Sequence, residues 1–248
     1  MLNLEYRRQF LHYPLDDLTL AEWLDQVDRW VRQRKPTQIS VLNANKMYLM
    51  DRLPELAEAI HHSGGIIPEN AVYFGCKWLG QPLKEKDLGG ITLMEALLAG
   101  SHQQDYRFYF LGSTPAVLQK LQKRCRQDYP HLNATGWHDG YFTVAETPRI
   151  IQEINATQPD ILFVALGSPK QELWIYRHLN RLQVPVCLGV GGSFEVVAGL
   201  KKAAPKWTKN GLEWLYRSIQ DPKKFKRYAV INTYFIYQFL KYRWCLRG

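Results

Sequence analysis

Two apolar segments in the second half of the chain each end in a small, polar turn that contains glycine. Segment 160–166 is followed by Gly167–Glu172, and segment 184–190 is followed by Gly191–Ser193. In an open parallel sheet, ligands bind outside the carboxyl ends of the strands, where unpaired backbone N–H groups attract anions. The backbone N–H groups of both turns therefore predict a site for a diphosphate.

The first of these turns also carries polar side chains where a parallel sheet is normally buried. Lys170, Gln171 and Glu172 are suited to bind the hydroxyl groups of a sugar or a base. Pro169 by itself is typical of the ordinary first turn of a helix. Three clustered polar groups favour a binding function over that plain structural interpretation.

A third turn, Gly112–Pro115, follows the apolar segment 107–111. It fits a phosphate-facing loop, and it also fits a plain strand-to-helix connection in which Ser113 or Thr114 caps the helix. The local pattern favours the plain connection. Neither the glycine pattern of dinucleotide-binding folds nor a P-loop occurs in the chain, so those two nucleotide-binding classes lose their usual support.

Two further polar pairs have roles that the local sequence leaves open. Asp139 and Gly140, next to His138, are typical of a turn. A structural or substrate-shaping role for this turn is favoured over a catalytic His–Asp dyad. Asn43 and Asn45 follow a short apolar segment, so they either cap the next helix or bind sugar hydroxyls, and the two interpretations have equal weight.

The elements that must position these residues alternate between helix and strand along the chain. The predicted strands are 39–42, 107–111, 133–136, 160–166 and 184–190, and the clearest predicted helices are 19–34, 144–156 and 169–182. Ile66–Ile67 and Val72–Phe74 flank a predicted turn at Pro68–Asn70. Such alternation indicates an α/β fold, in which a Rossmann-like, mostly parallel sheet has helices on both faces.

The positive charge of the chain is concentrated at its C-terminal end. Residues 201–248 contain twelve Lys or Arg and two acidic residues, so residues 1–200 contribute −1 to the net charge of +9. The same segment holds eleven of the 32 aromatic residues. We therefore expect a Rossmann-like catalytic domain over 1–200 and a basic, aromatic helical appendage over 201–248. An anionic membrane surface is the favoured partner of the appendage, ahead of nucleic acid or a buried packing role.

Composition also indicates the cellular compartment of the protein. The four cysteines are scattered without metal-ligand spacing, which is typical of reduced thiols in a cytoplasmic protein. The first residues contain no apolar core of signal-peptide length, and no apolar run is long enough to predict a transmembrane helix. No metal site is expected.

Eight motifs together resemble the WecG/TagA/CpsF family of bacterial glycosyltransferases. They are Asn43–Lys46, Tyr109–Pro115, Gly136–Phe142, Pro159–Asp160, Gly167–Glu172, Gly189–Phe194, Ala204–Lys206 and Gly211–Arg217. The resemblance covers residues 39–240 in order, closely in the C-terminal half and more loosely in the N-terminal half.

This resemblance implies transfer of a sugar from a UDP-sugar to a polyprenyl-diphosphate-linked sugar at the inner face of the cell membrane. The family builds cell-surface polysaccharides, inverts the anomeric centre, and needs neither a divalent metal nor another cofactor. The donated sugar is expected to be of the N-acetylmannosamine or glucose type. Nucleic acid is not an expected partner, and the oligomeric state is left open.

The resemblance also assigns roles to residues. Glu69 is expected to be the general base, while Asn43 and Gln171 orient sugar hydroxyls. The diphosphate cradle is expected to comprise Gly112, Gly167, Gly191, Gly192 and Ser193, with Lys206 and Arg217 offsetting charge on the leaving diphosphate. Further expected substrate-binding residues are Asn45, Lys86, Ser113, Asp139, Gly140, Lys170, Glu172 and Glu195, the last two of them binding uracil, ribose or backbone.

The chain departs from the family pattern mainly at the expected general base and on the acceptor side of the site. Glu69–Asn70 stands where the family has Asp-Gly, and Val41 stands where it has Thr. Asp87 stands at an Arg position, with Lys86 beside it as a possible substitute, and Ala203 stands at another Arg position. An alternative function is therefore a non-catalytic relative that still binds a nucleotide sugar or a lipid diphosphate but has lost its base.

Overall fold

The computed structural model describes residues 6–201 and 225–245. The strands are β1 (Arg7–Phe10), β2 (Tyr13–Asp16), β3 (Thr37–Leu42), β4 (Gly65–Pro68), β5 (Arg107–Gly112), β6 (Asn133–His138), β7 (Ile161–Ala165) and β8 (Val186–Gly189). The helices are α1 (Leu20–Gln33), α2 (Ala44–Met50), α3 (Pro54–His61), α4 (Asn70–Trp78), α5 (Gly90–Ala99), α6 (Pro115–Asp128), α7 (Thr147–Ala156), α8 (Lys170–His178), α9 (Ser193–Val197) and α10 (Phe225–Cys245). Short 3-10 turns at Gly100–His102 and Val144–Glu146 precede β5 and α7.

The main sheet has six strands in the order β4-β3-β8-β7-β5-β6, and every neighbouring pair in it is parallel. Phe110 of β5 pairs with Phe163 of β7, and Phe163 pairs with Leu188 of β8. All carboxyl ends therefore lie along one edge of the sheet. The predicted α/β fold with a mostly parallel sheet is confirmed.

Alternate residues of each central strand face two separate helical layers. Phe108 and Phe110 pack into the cluster formed with α1, α5, α6 and α9, whereas Tyr109 and Leu111 pack against α7 and α8. Because both faces are covered, β7 and β8 are apolar along their whole length, and β5 is apolar after Arg107. These apolar runs are the signal that predicts β5, β7 and β8 as buried strands.

An antiparallel hairpin of β1 and β2 precedes the main sheet and was not predicted. Asp16 at the end of β2 is fully buried; it forms an ion pair with Arg7 and accepts a hydrogen bond of 2.7 Å from the backbone N–H of Ile66 in β4. Burial raises the pKa of Asp16 despite the guanidinium beside it. The hairpin is thereby tied to the outer strand of the sheet.

The C-terminal helix α10 packs on the same side as this hairpin. Ile231, Phe235 and Phe239 are buried in a cluster with residues of β1, β2, α2, α3 and α4. Asp51, which follows α2, accepts hydrogen bonds from the hydroxyl of Tyr234 and from Nε2 of Gln238. The described part of the appendage is therefore helical and shares a core with the N-terminal part of the chain. The division into a domain over 1–200 and an appendage over 201–248 stays a prediction.

Candidate active site

The turns after β7 and β8 lie side by side at the carboxyl edge, because these strands are neighbours. Gly167 and Gly191 have positive φ values of 77° and 54°, in the left-handed region that favours glycine. The backbone N–H of Gly191 donates a hydrogen bond of 3.0 Å to Oε1 of Gln171. The side chain of Gln171 therefore connects the two predicted diphosphate turns.

The side chains of Gln171 and Glu172 form a buried polar network beneath these turns. They are only 2% and 1% exposed. Oε1 of Glu172 accepts hydrogen bonds from Nε2 of Gln171 at 2.7 Å, and its Oε2 accepts one from Oγ of Ser168 at 2.8 Å. Lys46 of α2 completes the network, because its Nζ lies 2.9 Å from Oε1 of Glu172 and its side chain is 4% exposed. By contrast, Lys170 is exposed.

The turn after β5 is held against the turns after β6 and β7. Gly112 has a φ of 123°, and the backbone N–H of Ser113 donates to the carbonyl oxygen of Ala165 at 2.9 Å. The N–H of Gly140 in turn donates to the carbonyl oxygen of Ser113 at 2.8 Å. Thr114 caps α6 through its side chain, as one of the two predicted capping residues. The turn after β5 is therefore a strand-to-helix connection that also lies at the carboxyl edge of the sheet.

The segment after β6 forms the turn that the sequence favoured. Oδ1 of Asp139 accepts a hydrogen bond of 2.8 Å from the backbone N–H of Tyr141. Nδ1 of His138 lies 2.8 Å from the backbone carbonyl oxygen of Asp139 and so does not pair with its carboxylate. Asp139 and Gly140 therefore shape the edge of the site beside Ser113.

Glu69 and Asn43 lie together at the carboxyl ends of β4 and β3. Nδ2 of Asn43 donates a hydrogen bond of 2.9 Å to Oε2 of Glu69, and Oδ1 of Asn43 caps α2 by accepting from the backbone N–H of Lys46. Asn43 therefore caps α2 and also contacts the carboxylate of Glu69. A Cβ atom at Gly89 would lie 3.4 Å from Oε1 of Glu69, which places the loop before α5 against this carboxylate.

Three further predicted residues, Asn45, Lys86 and Ser193, make contacts within the described part of the chain. Asn45 accepts a hydrogen bond of 3.0 Å from Arg227 of α10, and Nζ of Lys86 lies 5.4 Å from the ring centroid of Phe74. Oγ of Ser193 donates to the carbonyl oxygen of Val190 at 2.7 Å. Lys206 and Arg217 lie outside the described residues.

Glu195 contributes a buried polar atom next to the turn after β8. Its Oε2 lies 3.6 Å from the place that a Cβ atom would take at Gly192, and it accepts no hydrogen bond within residues 6–201 and 225–245. Its Oε1 lies 3.5 Å from Nζ of Lys201. A carboxylate oxygen placed in this way is suited to accept an N–H or O–H group from a bound ligand.

The described parts of the chain contain buried thiols and no cluster of His, Cys, Asp or Glu side chains at metal-binding spacing. Within residues 6–201 and 225–245, no group of three or more His, Cys, Asp or Glu side chains is arranged to hold a metal ion. Cys76 and Cys125 are buried free thiols, and burial raises the pKa of each to about 12, so both are protonated at neutral pH.

Lys46 is the site residue that the sequence analysis did not single out. It lies three residues after Asn43, at the end of the motif Asn43–Lys46. Its partner Glu172 follows another strand on the far side of β8, and sequence spacing does not reveal that contact. The only local signal is a lysine on a helix whose neighbours at Ala44, Met47 and Met50 are buried and apolar.

The parallel sheet, its glycine turns and its polar carboxyl edge define an α/β protein with polar groups at the ends of β3, β4, β5, β7 and β8, which is the edge where folds of this class bind ligands. The sequence model described as "Glycosyl transferase WecG/TagA/CpsF family" matches residues 8–248. The chain belongs to this family and is a glycosyltransferase by that membership.

Relatives in Staphylococcus aureus support the same assignment along nearly the whole chain. The proteins named N-acetylglucosaminyldiphosphoundecaprenol N-acetyl-beta-D-mannosaminyltransferase in strains MW2 and MRSA252 are each 31% identical to it over 235 residues. The aligned part covers 93% of this chain and 91% of each relative.

Proposed function

We propose that this protein transfers a sugar from a UDP-sugar to a polyprenyl-diphosphate-linked sugar, with inversion and without a metal ion, in the synthesis of a cell-surface polysaccharide. The observation that carries the proposal is the similarity to relatives whose name specifies an N-acetylglucosaminyl-diphosphoundecaprenol acceptor and a β-linked N-acetylmannosaminyl product. Coverage of 93% of the chain means that the acceptor side and the donor side are both included in that similarity. Of the two expected donor types, the relatives favour N-acetylmannosamine.

Glu69 is the general base in this proposal. It removes the proton from the acceptor hydroxyl, whose oxygen then attacks the anomeric carbon from the face opposite the diphosphate. The bond between the anomeric carbon and the diphosphate oxygen breaks, and UDP leaves. The hydrogen bond from Asn43 fixes the orientation of the Glu69 carboxylate, which supports its assignment as a positioned base.

The donor diphosphate lies, in this proposal, against the turns that contain Gly112, Gly167 and Gly191–Ser193. The hydrogen bonds from Ser113 to Ala165 and from Gly140 to Ser113 hold the turns after β5, β6 and β7 together, and the hydrogen bond from Gly191 to Gln171 joins the turn after β8 to the start of α8. Glu195 accepts a hydrogen bond from the uracil or ribose through its buried Oε2. Lys206 and Arg217 offset charge on the leaving diphosphate.

The lipid-linked acceptor approaches, in this proposal, beside α10. A cavity of about 540 Å³ lies between α2 and the start of α10, next to Ser168 and Pro169. Lys226 and Arg227 supply its positive charge, while Val230 and Ile231 supply apolar surface. Adjacent cationic and apolar groups suit the diphosphate and the first isoprene units of such an acceptor.

The protein binds peripherally at the cytoplasmic face of the membrane in this proposal. The outer side of α10 exposes large apolar residues, namely Val230, Ile236, Tyr237, Leu240 and Trp244. Lys226, Arg227, Lys241 and Arg243 are exposed on the same helix, a combination that suits anionic lipid headgroups. Within the described residues, no helix has the length and apolar character needed to cross a bilayer.

A transfer assay with a polyprenyl-diphosphate-linked N-acetylglucosamine acceptor tests this function. UDP-N-acetylmannosamine, UDP-N-acetylglucosamine and UDP-glucose are compared as donors, and the lipid product is identified by mass spectrometry. We expect product with UDP-N-acetylmannosamine above the other two donors. Binding of UDP without transfer from any donor would instead support the non-catalytic alternative.

A further inference from the structure

A buried salt bridge crosses the floor of the active site between the base side and the donor side. Lys46 lies on α2, three residues after Asn43, and Asn43 contacts Glu69. The ammonium group of Lys46 reaches Glu172 below the donor turns. Glu172 in turn contacts Gln171, which holds the N–H of Gly191. One continuous chain of polar contacts therefore joins the two halves of the site.

Core stability alone gives a weak reason for this ion pair. Replacing a buried pair with apolar residues of similar volume is often neutral or stabilising, because desolvation offsets the attraction. The position of Glu172 gives a better reason, since its two carboxylate oxygens accept hydrogen bonds from Ser168 and Gln171 and also pair with the ammonium group of Lys46. A carboxylate can receive all three of these donors at once, and this fixes both donor turns.

That carboxylate creates an electrostatic problem at a diphosphate site. Glu172 is 1% exposed and lies beneath turns whose proposed ligand carries negative charge. In a region of low polarisability, an unpaired carboxylate would repel this ligand over several ångströms. The ammonium group of Lys46, 2.9 Å from Oε1 of Glu172, cancels that charge without opening the site to water.

We propose that Lys46 is a positioning residue that neutralises Glu172, so that one carboxylate organises both donor turns without repelling the nucleotide diphosphate. The proposal rests on the function proposed above, because it takes UDP as the ligand of these turns. Lys46 acts through Glu172 and does not itself touch the donor.

Charge compensation predicts an order of UDP affinities that a purely structural role does not. Lys46→Met leaves the carboxylate of Glu172 without its neighbouring cation, and we expect this variant to bind UDP about tenfold more weakly or worse. The double variant Lys46→Met/Glu172→Gln removes both charges, so it should bind UDP more tightly than Lys46→Met, although glutamine receives fewer donors than the carboxylate. Glu172→Gln alone keeps the cation but loses an acceptor oxygen below the donor turns, so the charge effect is measured by comparing Lys46→Met with the double variant.

The experiment is titration calorimetry of UDP with the full chain of each variant, combined with thermal unfolding. Lys120→Met is the matched control, since Lys120 is exposed on α6 and its loss changes net charge by the same amount. The control should bind UDP like the wild type. A structural role alone would lower the unfolding temperature of Lys46→Met while the folded protein kept its UDP affinity.

Two results would overturn the proposal: unchanged UDP affinity in Lys46→Met, or a double variant that binds no better than Lys46→Met. If Lys46→Met does not fold, Lys46→Gln takes its place: unchanged UDP affinity in that variant contradicts charge compensation, and an affinity lowered about tenfold or more supports it. A wild-type protein that does not bind UDP overturns the proposed donor site together with this inference. Wild-type binding with an unaffected Lys46→Met variant overturns this inference alone.

Discussion

Gly112 lets the turn after β5 approach the turn after β7 more closely than any side chain would permit. Its φ is 123°, and a Cβ atom there would lie 2.5 Å from the carbonyl carbon of Ala165. Gly112→Ala therefore combines a strained backbone with a clash against main chain that cannot move aside. We expect a loss of about 2 kcal/mol or more in the free energy of unfolding, measured by urea denaturation.

Gly100→Ala is the control for that substitution. Gly100 has a φ of −73°, and a Cβ atom added there would meet nothing within 4 Å. Alanine at such a position should be neutral or stabilise by up to about 1 kcal/mol. Equal stability of the two variants would show that the turn after β5 does not need glycine.

Single residues could be predicted from the sequence where their role is local. Thr114 is one of the two predicted caps of α6, and Thr19 caps α1 in the same way, because capping depends on the next three residues. The contact between Lys46 and Glu172 could not be predicted in the same way. It depends on the order of the strands, which brings α2 beside α8.

At the scale of elements, α10 is fastened to α2 by polar contacts as well as by apolar packing. Asp51 accepts hydrogen bonds from Tyr234 and Gln238, and the guanidinium of Arg52 lies 4.8 Å from the ring centroid of Tyr234. The same region carries Arg227, which contacts Asn45 beside the site. The position of this helix therefore sets the position of the cationic groups in the proposed acceptor cavity.

Asp51→Ala should loosen α10 while leaving the main sheet intact. Hydrogen bonds to a charged group contribute about 1.5–3 kcal/mol, so local opening should become about tenfold more frequent or greater. Hydrogen exchange followed by mass spectrometry measures this directly. We expect faster exchange in residues 228–240 and unchanged exchange in β5 and β7.

Asp128→Ala provides the comparison for Asp51→Ala. Asp128 pairs with Arg124 on the surface of α6, and exposed pairs of this kind contribute little. Its exchange pattern should match that of the wild type along α10. Equal protection of α10 in Asp51→Ala and the wild type would show that apolar packing alone holds the helix.

The elements that the sequence did not predict lack the usual local signals. Strand β2 contains Pro14, which argues against a strand, and β1 has two arginines among four residues. Helix α5 is buried and largely apolar, so its pattern shows little helical periodicity. Val72–Phe74 lies in α4, although its β-branched and aromatic residues resemble a strand. Tertiary packing decides the conformation in each case.

At the scale of the whole molecule, the exposed apolar and basic residues of α10 predict binding to anionic membranes. We expect the protein to sediment with vesicles of equal parts phosphatidylglycerol and phosphatidylcholine, and much less with phosphatidylcholine alone. Added salt should weaken the binding, since each Lys or Arg near an anionic surface contributes about 1 kcal/mol that salt screens. Ile236→Ser/Leu240→Ser/Trp244→Ser should lower the bound fraction severalfold by removing exposed apolar area.

Val144→Ser is the matched control for the membrane experiment. Val144 is 91% exposed but lies in the 3-10 turn before α7, away from α10. It should leave vesicle binding unchanged. Equal binding of the wild type to neutral and anionic vesicles would contradict the electrostatic part of the proposal, and full binding of the triple variant would contradict the part played by α10.

The rate of sugar transfer by Glu69→Gln, compared with that of the wild type, tests the central claim most directly. Glutamine keeps the size of the side chain and an oxygen for Asn43, but it cannot accept the proton of the acceptor hydroxyl. We predict a wild-type protein that forms the lipid-linked disaccharide and a variant that is slower by about a factor of 100 to 10,000, with UDP affinity unchanged. Transfer by Glu69→Gln at the wild-type rate would contradict the assignment of the base, and absence of transfer by a wild-type protein that binds UDP would contradict catalysis itself.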